Sequence, residues 1–482
     1  MSIRLGVSKL ALAVVLTGCA THNRIDTPVV TRDALPEFAG GIQPGCARGV
    51  FGPGSNVHYS FGGYADITAL APITENTQFI VASVSKQFTA LAILHLAAEG
   101  KLRLDDPAQN WVPELAGAIQ DATIEQLLHQ TAGVRDHINL LLLSGQEALE
   151  PVDRAATMAL MARQHSTNFP PGERAQYSNG NYFVLSEIVE RASGEPLERF
   201  AERALFAPLE MSETQFSSGQ TPRALAQGYQ PQRDPSGFRT ANDRPSTNGS
   251  GGLITTLADL QKFDADFRAE RVVWRPEIKR QMLTPGLLDD GQIAILPEFG
   301  TPYGMGVGLA GEDGDVRIFH DGGAEGFRAE YVRLLNTDVS VAVLCNRTDA
   351  RAPALADEAL RAAAGLRPPA AEAESSSPGA ATITPSRILL ETIAGHYRAE
   401  ELDTDYYFDV SDNGFEVTIV SPFTREAALQ ETWGGLRVTE DGEIRSGPIG
   451  LIPIRDGDSV RALVLSFGRR VEGIELERMG SD

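Results

Sequence analysis

A serine and a lysine stand three residues apart at Ser83-Val84-Ser85-Lys86, just ahead of the apolar run Leu91 to Ala98 and Gly100. The run and the glycine predict a helix that starts near Ser83 and ends in a glycine cap. Residues three apart share a helix face, so the hydroxyl and the amine can meet one substrate at the positive end of the helix dipole. The run is apolar nearly all round, which predicts a buried central element. Burial strips an ammonium of its hydration and lowers its pKa. A neutral amine then becomes available as a base, and a serine beside it becomes a nucleophile. An ordinary helix N-terminus would show the same pair. The chain has five lysines, and Lys86 alone has a serine three places before it.

Two more groups could join this chemistry. Tyr177-Ser178-Asn179 falls in a polar loop, residues 176–181, ahead of a helix expected over Tyr182 to Ala192. A tyrosine beside a neutral lysine can relay a proton, and an asparagine amide can orient substrate or lysine. By itself the triplet reads equally as a turn. His320-Asp321-Gly322-Gly323 ends a strand and enters a glycine-rich turn, where backbone can approach a ligand and offer an N–H to an oxyanion. A β-turn with a surface histidine is the alternative.

The elements that must position these residues follow from periodicity. Cys46 to Phe51 and Val57 to Tyr64 read as a hairpin, and Thr123 caps a short helix ending near His129. Residues 151–165 and Leu257 to Phe267 are helical, and residues 220–250 read as a long polar loop. Strands then follow at Gly304 to Ala310, Val316 to His320, Phe327 to Leu335 and Val339 to Cys345, with a last helix over Ala354 to Ala364. Hairpin, helical middle and strand run make an α+β architecture. Residues 366–386 form a Pro/Ala/Ser-rich linker. Short alternating runs after it, from Tyr406 to Leu476, predict a β-barrel or sandwich over 387–482.

The 482 residues call for two or three domains, and 42% hydrophobic residues supply a sizeable core. A formal net charge of −22 excludes nucleic acid and anionic lipid as electrostatic partners. Residues 1–19 form an export signal: Arg4 and Lys9, a short apolar core, then Leu16-Thr17-Gly18-Cys19. The pattern resembles a bacterial lipoprotein signal, with lipid on Cys19 as the membrane anchor, residues 20–35 as a tether, and the periplasm or outer membrane as destination. Cys46 and Cys345 would face an oxidising compartment, either bonded or as buried thiols. No cysteine–histidine cluster of zinc spacing and no cofactor motif stands in the chain. Gly306 to Gly311 matches a dinucleotide fingerprint but leads into an acidic turn, not a helix. A Gly-x-Ser-x-Gly elbow is missing too.

Taken together, the three motifs resemble the serine hydrolases related to class C β-lactamases, penicillin-binding proteins and D-aminopeptidases. Leu127 to Gly133, Pro208-Leu209-Glu210-Met211, Gly251-Gly252-Leu253 and Cys345-Asn346 extend the likeness over residues 36–365. The resemblance implies a five-stranded antiparallel sheet flanked by helices, an all-helical half and a site between them. It implies Ser83 as nucleophile, Lys86 as base, Tyr177 as proton shuttle with Asn179 beside it, and Ser83 and Gly323 N–H groups as oxyanion hole near His320 and Gly322. It also implies that Cys46 and Cys345 lie close together, on paired first and last strands. The expected activity is hydrolysis of small esters or amides through an acyl-enzyme, without metal or cofactor. A D-aminopeptidase, D,D-peptidase or β-lactamase on peptidoglycan-type substrates is the alternative, and a non-catalytic cell-wall binding or sensing protein is another. The oligomeric state stays open. His320 stands where the β-lactamases carry a lysine. That loss predicts a preference for neutral acyl groups or free amines over carboxylates, and negligible turnover of penicillins.

Overall fold

The computed structural model describes residues 30–480 apart from 39, 54–55, 147–152, 220, 223, 233–236, 242–247, 313, 368–382, 425–427, 440–441 and 458. The export signal with Cys19, most of the tether and most of the linker lie outside the described residues.

The central helix spans Ser85–Ala98, preceded by a tight turn of 3-10 helix at Ala82–Val84. Every residue from Ser85 to Leu96 is buried, as an element without a polar face requires. Gly100 follows at φ 70°, a conformation that favours glycine.

The turn that enters this helix lies against a seven-stranded sheet. Its strand order is Val30–Ala34, Val57–Gly62, Cys46–Phe51, Val339–Cys345, Phe327–Leu334, Asp315–Ala324, Gly308–Glu312. The first pair is parallel and the rest are antiparallel. The resemblance implied five strands and the sequence pattern showed six; the seventh, Val30–Ala34, lies in what was expected to be tether. All seven residues of Val339–Cys345 are buried. Alternate side chains face opposite ways: Val341 and Val343 pack with Ala352–Ala364, and Ala342 and Leu344 face the main core. Cys46 sits opposite Cys345 and is disulfide-bonded to it.

Several boundaries differ from expectation. The strand expected to end at His320 runs from Asp315 to Ala324, so Gly322 and Gly323 lie within a paired strand and not in a turn. The strand placed at Gly304 to Ala310 begins only at Gly308, because Gly306 turns the chain at φ 85°. A Cβ at Gly306 would lie 2.7 Å from the Lys86 carbonyl oxygen, so this turn presses on the central helix. The helix placed at Tyr182 begins at Asn179, because the Ser178 hydroxyl accepts from the Gly180 N–H and caps it. Residues 220–250, expected as loop, contain the hairpin Gly228–Pro231 with Phe238–Ala241 and a helical turn at Asn248–Gly251.

The C-terminal region is one nine-stranded antiparallel sheet whose edges are Leu429–Gly434 and Arg437–Val438. The edges are consecutive in the chain, so the sheet curls round to bring them near each other. It docks on the helical half: Arg135, 2% exposed, donates to Glu401 at 2.9 Å and to the Glu472 carbonyl at 3.1 Å. No helix among the described residues is long and apolar enough to cross a membrane.

Candidate active site

Ser83 sits on the turn that enters the central helix. Its neighbour Ala82 holds φ 45°, a costly conformation for alanine that surrounding structure must impose. Part of that structure is the strand Asp315–Ala324. A Cβ at Gly322 would lie 2.1 Å from the Val81 carbonyl oxygen, so only glycine lets the strand run against the turn that carries Ser83. Gly323 follows, opposite Arg328.

Lys86 is fully buried. Its Nζ donates to Ser83 Oγ at 3.1 Å, Asn179 Oδ1 at 2.8 Å and the Ser250 carbonyl at 2.7 Å. All three acceptors are neutral. Burial pulls the amine down to about 7, against the raising influence of Asp136; Arg470 adds to the fall. Nζ also lies 4.8 Å from the Tyr177 ring centre and 5.5 Å from that of Tyr182.

Asn179 is held for its task. Its N–H and Nδ2 both donate to Asp136 Oδ2 at 2.8 Å, which turns Oδ1 towards the lysine. The other oxygen of Asp136 caps the helix His137–Leu143. Asp136, fully buried, therefore touches Lys86 only through Asn179. Sequence reasoning missed it; its one signal was an aspartate ahead of a helical run. It missed the Ser250 carbonyl too, which no residue type announces.

Tyr177 is buried, and burial pushes its hydroxyl upward while Ser83 draws it the other way. The phenol therefore keeps its proton where Lys86 has lost its own. His320 is 1% exposed, so it is no surface residue. Its ring lies 6.1 Å from that of Tyr177, and its Nε2 meets the Tyr303 hydroxyl at 3.1 Å. Burial and then Lys86 depress it to about 3, so it stays neutral. Asp321 meets it only through its carbonyl, at 2.6 Å from Nδ1. The sequence motifs thus converge: Ser83, Lys86, Tyr177 and Asn179 share one cluster, with His320 and Gly322 forming its wall. Ser85 and Ser178 stand aside, the first donating to the Ala82 carbonyl and the second capping a helix.

The family model for beta-lactamase matches residues 33–366. The chain belongs to the beta-lactamase family. Among its relatives is a D-aminopeptidase of Cereibacter sphaeroides, 31% identical over 346 residues. That match covers 70% of this chain and 63% of the relative's length. The fold is shared with a penicillin-binding protein from Bacillus halodurans, at TM-score 0.57 and 23% identity over 66% of this chain and 94% of that one. It is shared as well with the octameric penicillin-binding protein homologue from Pyrococcus abyssi. There the TM-score is 0.58 at 21% identity, over 90% of this chain and 95% of that one, so the likeness takes in the C-terminal sheet.

Proposed function

We propose that the protein is a serine hydrolase that cleaves amides and short peptides through an acyl-enzyme, with an N-terminal D-residue as the acyl part. The observation that carries this reading is a buried lysine, touched only by neutral acceptors, 3.1 Å from a serine hydroxyl. Neutral Lys86 takes the Ser83 proton as Oγ attacks the carbonyl carbon. The N–H groups of Ser83 and Gly323 receive the oxyanion. Tyr177, still protonated, gives its proton to the leaving nitrogen and is refilled from Lys86. Water then attacks the acyl-enzyme, its proton passing to the same pair. Asn179 holds the lysine, and His320 and Gly322 shape the wall. Small esters would enter by the same steps. The D-residue rests on the D-aminopeptidase relative and on nothing finer.

The test is intact-mass analysis after a fluorophosphonate probe, followed by turnover of D-alaninamide and L-alaninamide. One adduct on Ser83, absent from Ser83→Ala, with faster D-turnover is expected. An adduct on Ser85 or Ser178 would sink the assignment. We also infer export as a lipoprotein anchored through Cys19, a reading supported by the signal pattern and by the Cys46–Cys345 bond, which suits an oxidising compartment. Fatty-acid labelling that survives Cys19→Ala would refute it.

A further inference from the structure

The C-terminal sheet reaches the reacting groups at one point. The turn between its strands Ser459–Phe467 and Val471–Arg478 carries Gly468, Arg469 and Arg470. The turn is tied down next to catalytic residues. The Arg470 carbonyl accepts from the Asp136 N–H at 2.9 Å and from Asn168 Nδ2 at 3.1 Å. Gln176, the residue before Tyr177, donates to the Arg469 carbonyl. The Glu472 N–H donates to Asn168 Oδ1 at 2.9 Å. Every one of these bonds uses backbone or a neighbour, and none occupies the Arg470 guanidinium.

That guanidinium lies 5.0 Å from the Tyr177 ring centre and is half-buried. It forms no ion pair among the described residues, whereas the nearby Glu472 is paired with Arg174 at 3.0 Å. Asp321 feels its charge without an ion-pair contact. The turn is therefore fixed, and the cation it carries is partly desolvated and holds no carboxylate among the described residues. Tyr177 hands its proton to the leaving group, so a charge beside its ring faces the departing part of the substrate. A guanidinium fork recognises a carboxylate through two parallel hydrogen bonds.

We propose that Arg470 is a specificity-determining residue that receives a carboxylate on the leaving part of the substrate, so that the site favours dipeptides over the corresponding amides. The inference rests on the serine hydrolase reading above and deepens it. It also reverses the expectation drawn from His320. The permanent charge missing from the third motif is supplied by another part of the chain.

The experiment compares D-alanyl-D-alanine with D-alanyl-D-alaninamide, which differ only in that carboxylate. The unmodified protein should prefer the dipeptide. In Arg470→Gln the ratio of the two kcat/KM values should fall tenfold or more, mostly through KM of the dipeptide. Arg470→Lys should keep part of the ratio, and added salt should compress it in the unmodified protein. A ratio that stays the same in Arg470→Gln while both substrates slow together would overturn the proposal and leave Arg470 a positioning role. So would an unmodified protein that prefers the amide. Calorimetric binding of the dipeptide to Ser83→Ala and to Ser83→Ala/Arg470→Gln reads the contact without turnover. Failure of the hydrolase reading is thereby separated from failure of this one: dipeptide binding weakened tenfold by the second change supports Arg470 even where no hydrolysis is seen, and equal binding overturns it.

Discussion

Two of the cations buried in this molecule, Lys86 and Arg333, have opposite fates. Lys86 meets a hydroxyl, an amide oxygen and a carbonyl. Arg333, 1% exposed, meets Asp264 and Asp338 directly and lies with Cζ 4.4 Å over the Phe267 ring. Burial penalises both charges. For Lys86 nothing in contact offsets the loss of water, and the pKa falls to about 7. For Arg333 the two carboxylates overturn the effect of burial, and the guanidinium is held above its usual value. A guanidinium gives up its proton under no ordinary condition, so a paired arginine can hold a sheet to a helix. A lysine without a contacting anion can exchange its proton, so it can work as a base. Equal burial therefore says little about role; the charge of the contacting atoms decides it.

The comparison breaks most sharply at Ser83 and Lys86. Ser83→Ala and Lys86→Met should each lower kcat by about ten-thousandfold or more, since groups that act as a unit fail together. Steady-state turnover with unchanged circular dichroism would show it. Residual activity within tenfold of the unmodified protein would end the assignment.

Next comes the structural cation. Asp264 accepts from Arg333, Tyr331 and Ser340 and is ion-paired with Arg268, and removing it strands a buried charge. Asp264→Ala should cost about 3–5 kcal/mol in urea denaturation. The same denaturation applied to Lys86→Met should show no such loss, because no anion is left unpaired.

A smaller effect is expected at Asp136→Asn. The new amide keeps one accepting oxygen, so either the two Asn179 donors or the Ile138 and Asn139 N–H groups lose their acceptor, at a cost of about 1–3 kcal/mol. Activity should fall in kcat more than in KM, because the change acts on the base and not on substrate contacts.

The pH response is the finest test. In kcat/KM, activity should rise as pH climbs through about 7, where Lys86 gives up its proton. Stability follows a separate sign. The folded pKa of Lys86 lies below the value of 10.5 for an unburied lysine, so between about 7 and 10.5 the unfolded chain binds more protons. Stability contributed by this group must rise with pH across that window, by at most about 1.4 kcal/mol per unit, and be flat below it. Lys86→Met should remove the slope. Arg333 has no counterpart in this range, so a slope that survives in Lys86→Met would belong to other groups.

Much of the site was legible in the chain because it is local. Ser83 and Lys86 share a helix face by their spacing alone, and Gly322 and Gly323 announce a close backbone approach by lacking side chains. The strand Val339–Cys345 came out at its observed limits, since a run interrupted only by Ser340 is apolar enough to be buried on both faces. Boundaries failed where a single cap decided them, as at Ser178 ahead of Asn179 and at Gly306 ahead of Gly308.

By itself, then, the sequence determined most of the elements and the motif residues, while the nearness of Cys46 to Cys345 came from the family resemblance. Only the tertiary structure decided which groups surround Lys86, because the Ser250 carbonyl is a group every residue carries and Asp136 acts through Asn179. It alone brought Arg470 beside Tyr177, 293 positions away and in another sheet. Periodicity reports how a segment folds on itself, whereas the charge environment of a buried amine is set by what chain closure carries into contact with it.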